Sequence, residues 1–258
     1  MCSSDLWYLS TDSSKIITSL PSTINGDITL CAKWIKKAQL KIELPVFENG
    51  NRTGNTTIYD THKYFYMQKT NPIGIKNLST YIDAGYTVPE NYKFIGFNAS
   101  SGFTATQDYS DMNNITTMIE VGATSDVLTI TADIRKILKV DITMEASAKP
   151  AITKKDFEIN KITVSANSFY SKTNSDDWLI SDGSTDIKQL TTGTQTFYLL
   201  EGSTDITVTI NTLSFPFGVK RDAKAPETTG CLTNDSKSPF TFTIKENNAT
   251  IKWKGQQS

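Results

Sequence analysis

Ile137-Leu138-Lys139-Val140-Asp141-Ile142-Thr143-Met144 decides the fold class of this chain. Leu138, Val140, Ile142 and Met144 alternate with Lys139, Asp141 and Thr143, the period of two that gives a strand one buried face and one wet one. Gln39 to Val46 repeats the pattern, with Leu40, Ile42 and Leu44 set against Lys41 and Glu43, and Pro45 is expected to end that run. Thr196 to Leu200, Asp205 to Thr212, Phe240 to Lys245 and Ala249 to Lys254 carry the same period, with Glu246-Asn247-Asn248 as the turn between the last two. Short helices are expected only at Ile75 to Ala84 and Asp111 to Glu120, neither of which has a clean cap or a long apolar stripe. The chain therefore reads as mainly β.

Composition narrows the function classes. Among 258 residues, 26 Lys plus Arg face 27 Asp plus Glu, so the net charge is -1 and nothing draws the chain to nucleic acid. Removing the 10 Tyr from the 38% hydrophobic residues and adding the 14 Gly gives an apolar share of roughly 40%, below the about 45–50% of an average domain. Thin cores follow, and several small modules suit them better than one large enzyme core. No apolar run approaches membrane-spanning length, so no segment is expected to insert into a bilayer. Thr fills about one position in seven, which favours strands and polar turns.

Three stretches look alike as closing strands: Gly26 to Trp34, Ser125 to Ile134 and Asn248 to Lys254. A new opening strand follows the first two almost at once, leaving only Ile35 to Ala38 and Arg135-Lys136 as joints, too short for freely tethered beads. Modules joined in this way are expected to lie end to end. The first stretch also carries a family likeness. Trp7-Tyr8, a polar variable stretch, and then Ile24-Asn25-Gly26-Asp27-Ile28-Thr29-Leu30-Cys31-Ala32-Lys33-Trp34 resemble the second half of the Listeria and Bacteroides surface-protein repeat (the InlB B-repeat). Trp7, Tyr8, Thr29, Leu30, Ala32, Lys33 and Trp34 are the matching positions, and Cys31 stands where the family usually has Tyr. A fainter echo of the repeat's centre runs through Ala84-Gly85-Tyr86-Thr87-Val88-Pro89 and Tyr92-Lys93-Phe94-Ile95-Gly96-Phe97, with Asp126 to Ile134 as its closing strand.

The resemblance implies a β-grasp-like module, strung in tandem on secreted or cell-wall-attached bacterial proteins, and generally noncatalytic. The expected architecture is a set of tandem small β modules, a β-grasp-like repeat fragment followed by β-sandwich-like domains. Residues 1–37 are the C-terminal part of a repeat, 38–136 a β domain or expanded degenerate copy, 137–254 a second β domain and 255–258 a tail. The expected function is an extended stalk or adhesion segment at the bacterial surface or outside the cell. Its expected partner is a host or cell-envelope protein or a glycan, and the segment itself is expected to be monomeric. The alternative is a carbohydrate-binding module or lectin-like domain in the C-terminal half.

No catalytic constellation stands out. The single His, His62, lies in Asp60-Thr61-His62-Lys63-Tyr64 and reads as a turn residue at a strand entry. Nucleophile elbow, phosphate loop, dinucleotide fingerprint and His-Glu-x-x-His pair are all missing, so no catalytic residue, cofactor or metal ligand is assigned. An unrecognised carboxylate-pair glycosidase is the residual enzyme class. Ser175-Asp176-Asp177-Trp178 through Asp182-Gly183-Ser184-Thr185-Asp186 offers oxygen ligands without EF-hand spacing, and turn chemistry accounts for it equally well. Tyr170, Asp176, Asp177 and Trp178 are the candidate ligand-binding residues, since an aromatic face beside hydrogen-bonding groups suits a sugar ring; the competing role for Trp178 is a core anchor. The cysteines, Cys2, Cys31 and Cys231, are too few for a disulfide scaffold. Cys2-Ser3-Ser4-Asp5 suits the start of a mature lipoprotein, whereas a fragment with its upstream sequence removed explains it as simply. Cys31 is expected to be buried in its strand.

Overall fold

The computed structural model describes residues 7–9, 12–17, 26–32, 37–59, 64–66, 73–75, 86–121, 127–145, 157–175, 177–212 and 222–254. All regular elements among them are strands, as the alternating patterns require. The chain divides into two compact units, Met1–Thr87 with Phe94–Asp133, and Val88–Lys93 with Ile134–Ser258.

The first unit holds β1 (Trp7–Leu9), β2 (Asp12–Ile17), β3 (Leu30–Ala32), β4 (Lys37–Glu48), β5 (Asn51–Tyr59), β6 (Tyr64–Tyr66), β7 (Ile73–Ile75), β8 (Tyr92–Ala99), β9 (Phe103–Asp108) and β10 (Thr116–Val121), with the start of β11 (Val127–Glu145). β2, β1 and β3 form one small antiparallel sheet, and β7, β10 and β9 another. β4 lies parallel to the start of β11 and antiparallel to β5 and β6. Ile42, Leu44, Ile95, Phe97, Ile119, Leu128 and Ile130 are its most buried apolar side chains.

Three expectations are corrected here. Pro45 does not end its strand: β4 runs on to Glu48, and the Pro45 carbonyl accepts a hydrogen bond from the Tyr86 hydroxyl at 2.8 Å. Burial pushes that phenol up to about 12, against a smaller opposing pull from Arg52. Asp111 to Glu120 is not a helix. The Asp111 carboxylate and carbonyl accept from the Asn113 and Asn114 amides, an Asx turn, and β10 starts at Thr116. Nearly all of the other candidate helix lies outside the described residues, and its first residue, Ile75, closes β7. Finally, Arg135-Lys136 is not a joint. β11 passes through both as one strand of 19 residues, with Leu128, Ile130, Ala132 and Ile134 buried before them and Leu138, Val140, Ile142 and Met144 buried after.

Gly96, within β8, sits where only glycine fits easily. Its φ of +126° is closed to ordinary side chains, and a Cβ there would stand 2.6 Å from Gln107 Cγ. Side chains from β10 and β9 bond the backbone of the next residue: Phe97 N–H donates to Thr117 Oγ1 at 3.1 Å, and Gln107 Nε2 donates to the Phe97 carbonyl at 2.8 Å.

The second unit contains the rest of β11 with β12 (Phe157–Val164), β13 (Phe169–Ser171), β14 (Leu179–Ile180), β15 (Gly193–Leu200), β16 (Asp205–Thr212), β17 (Glu227–Thr229), β18 (Cys231–Thr233), β19 (Phe240–Ile244) and β20 (Ala249–Lys254). One sheet runs β14-β13-β15-β11-β20-β17 and the other β12-β16-β19-β18. Their inward residues form one core, including Val140, Ile142, Phe197, Leu199, Ile206, Val208 and Ile251. At its centre Phe242 stacks near Phe240, with ring centroids 6.3 Å apart, and meets Trp253 edge-on at 5.7 Å.

The connection between β19 and β20 also departs from expectation. It is not a hairpin, because β19 pairs with β16 and β18 while β20 pairs with β11 and β17. Residues 245–248 therefore arch from one sheet to the other. Gly230 makes a second such arch between β17 and β18 and accepts the Lys245 and Glu246 amides at 2.9 and 3.0 Å. Only glycine suits the position, since φ is +68° and a Cβ would meet Ala249 at 3.3 Å.

Candidate functional site

The acidic segment singled out in the sequence hangs from the edge of the larger sheet of the second unit. Ser171, fully buried at the end of β13, turns the chain: its Oγ accepts the Thr173 and Asn174 amides at 3.1 and 3.2 Å. Asn174 has a φ of 51°, which Asn tolerates better than most residues. The Thr173 hydroxyl then donates to the exposed Asp177 carboxylate at 2.9 Å. Trp178 follows, only 4% exposed, and beyond it Leu179 and Ile180 project at 54% and 40%. Ser181 closes the strand. Its hydroxyl donates to the Val164 carbonyl at 2.7 Å and accepts the Gly183 amide at 3.1 Å.

The described carboxylates of this loop, Asp177, Asp182 and Asp186, accept hydrogen bonds from the loop itself or from the strands beside it. Asp182 accepts from the Ser184 hydroxyl and, at 2.8 Å, from the Ser184 amide, and these bonds hold its carboxyl below the ordinary value. Asp186 is buried and accepts the Val164 amide at 3.3 Å, while its own amide donates to Ile162 and its carbonyl accepts the Lys172 ammonium. Burial pushes the Tyr170 phenol up to about 12, and its hydrogen bond to Asp186 and the negative charges of Asp186 and Asp182 push the same way. These contacts pin residues 181–190 along β12, where isolated bridges join Ile159 to Leu190 and Thr163 to Thr185. The arrangement is turn and edge-cover chemistry. Among the described residues, no group of three or more His, Cys, Asp or Glu could hold a metal ion.

Of the four candidate ligand residues, Tyr170 and Asp177 lie within this loop region, the first half-buried and the second exposed. Trp178 is buried and offers no open face to a sugar ring. Asp176 and His62 lie outside the described residues. Among the repeat-motif residues, Trp7 and Tyr8 are on β1 and Leu30 and Ala32 on β3, paired as Trp7 with Ala32 and Leu9 with Leu30. Thr29 is exposed just before β3; Lys33 and Trp34 lie outside the described residues. Cys31 is half-buried rather than buried, on a strand of a sheet that has three strands among the described residues. Cys231 is also half-buried, and burial raises its thiol above the ordinary value, with hydrogen bonds to Thr228 and Thr229 pulling the other way. Cys2 lies outside the described residues. No helix among the described residues is long and apolar enough to cross a membrane.

The pair Leu179-Ile180 escaped the sequence reading. Two apolar residues between Trp178 and Ser181 look like the middle of any buried strand, and only the sheet order puts them at an open edge. Comparison with known proteins finds no family model and no curated protein that matches this chain, so the likeness of residues 7–34 to the surface repeat rests on the residues quoted above.

Proposed function

We propose that this chain is a noncatalytic segment of a bacterial cell-surface or secreted protein, acting as a stalk or adhesion module for a host or cell-envelope protein or glycan. The observation that supports this most is the pairing of β1 with β3. The two ends of the repeat-like motif, separated by a polar stretch, lie side by side in one antiparallel sheet, as strands of one small module must. Gly96 adds to it, since the glycine of the fainter echo stands where backbone conformation and a close side chain both demand glycine. The β-grasp-like form of residues 1–37, and residues 38–136 as an expanded repeat copy, are parts of the same proposal.

Antibody labelling of intact cells that produce the natural full-length protein tests the reading, with fractionation alongside. External label and an envelope or medium fraction are expected; recovery solely from the cytosol would overturn it. The carbohydrate-binding alternative loses Trp178 as a stacking face, because that ring is covered. A glycan array probed with the folded chain would revive it by giving a specific signal.

A further inference from the structure

We propose that the open edge at β14 docks an extended peptide segment with apolar residues at its centre and Lys or Arg at its flanks. β14 is the last strand of its sheet, and the pairing that sets it there is antiparallel: Phe169 faces Ile180 and Tyr170 faces Leu179. Ser181 turns both its backbone groups toward β13, donating to the Ser168 carbonyl and accepting the Asn167 amide, each at 2.8 Å. Backbone groups alternate sides along an antiparallel strand, so those of Ile180 turn away from β13 to the open side. The side chains alternate faces as well, yet Leu179 and Ile180 are both exposed, at 54% and 40%. Among the described residues, both faces of this strand are partly open, unlike the strands of the core, which leaves main-chain and apolar contacts available together.

Charge selects the occupant. The described residues of 167–186 carry Asp177, Asp182 and Asp186 against Lys172, whose ammonium is held by the Asp186 carbonyl, and the nearby Arg135 is engaged over the Phe169 ring, 5.9 Å from its centroid. Asp177 and Asp182 are exposed on either side of the apolar pair. A second copy pairing through the same edge, antiparallel about Ile180, would bring the aspartates of both copies together, and like charges across strands oppose pairing. A strand with basic flanks meets the opposite field, while its main chain supplies the missing ladder partner and its alternating side chains meet Leu179 and Ile180. This inference rests on the binding half of the reading above and gives it a definite surface.

The test uses the full chain and two blocked heptapeptides, Lys-Val-Thr-Val-Thr-Val-Lys and Glu-Val-Thr-Val-Thr-Val-Glu, followed by amide NMR at low salt. The Lys-flanked peptide should shift the Trp178, Ile180 and Asp182 amides and bind at least about tenfold tighter than the Glu-flanked one. Ile180→Pro should abolish binding with the remaining spectrum intact, because the amide it removes faces the open side. Asp177→Lys, which leaves the backbone edge in place, should narrow the preference between the peptides. Absence of shifts with either peptide, equal binding of both, or self-association of the chain through these amides would each overturn the proposal. Such a failure beside external labelling of cells would remove the docking edge and leave the surface assignment standing.

Discussion

The two units draw on the same residue types and share one strand, but they hold their sheets differently. In the second unit, β11 and its neighbours bury their inward faces in a single core, with Phe240, Phe242 and Trp253 packed ring against ring. In the described part of the first unit, two of the sheets have three strands each, and side chains reach to the backbone beside Gly96, Thr117 and Gln107 onto Phe97. Alternation alone therefore makes strands in both places. Side chains reach to the backbone in both, Ser181 and Asp186 onto Val164 in the second unit, so what separates them is the single ring-packed core of the second.

The sharpest way to break the comparison is Phe242→Ala. The side chain is fully buried, so its loss should cost the second unit about 3–5 kcal/mol, read as lost hydrogen-exchange protection in β16 and β19. A loss below about 1 kcal/mol would deny that this core is centred on its rings. Gly96→Val probes the first unit. A β-branched residue at φ +126° with a Cβ 2.6 Å from Gln107 should cost about 2–3 kcal/mol and expose the β9 and β10 amides to exchange. Unchanged protection there would mean that the Gly96 backbone conformation is not what holds these strands. The smallest effect belongs to Asp141 on the outer face of the second unit. Burial pushes its carboxyl up, but the bonds from Lys139 at 2.8 Å and Thr196 at 2.6 Å outweigh burial and hold it below the ordinary value. A carboxyl lowered in the folded state stabilises above its unfolded pKa, and that contribution fades as pH falls through the folded one. Thr196→Val should raise the Asp141 pKa in a carboxyl-carbon NMR titration, and an unmoved value would assign the whole effect to Lys139.

Strand identity was largely legible in the chain. Asp205 to Thr212 and Ala249 to Lys254 are strands at the bounds their alternation marks, because burial on one face enforces the period residue by residue. The partners of those strands were not legible. Lys245 to Asn248 has hairpin chemistry and makes an arch between sheets, since a local turn signal is silent about which sheet the chain enters next. The acidic loop shows the same limit at the candidate site. Its Asp and Ser residues announced a turn and leave open whether they serve a ligand or the fold; here Asp182 and Asp186 serve Ser184 and Val164. Trp178 was legible as either platform or anchor, and its burial depends on packing that no stretch of sequence encodes alone.

The ladder between β11 and β20 is parallel, in register from Val140 with Ala249 to Glu145 with Lys254. The chain crosses into the second unit within β11, at Ile134, and the foot of β20 lies at the opposite end of that ladder, so a pull on these two points slides one strand along the other. Hydrogen bonds lying across the direction of pull are then loaded in shear and share the force instead of opening one after another. Stretching the chain between handles placed at these points should give a single high-force rupture for this unit, and gradual low-force opening would show that the ladder is not where tension is borne.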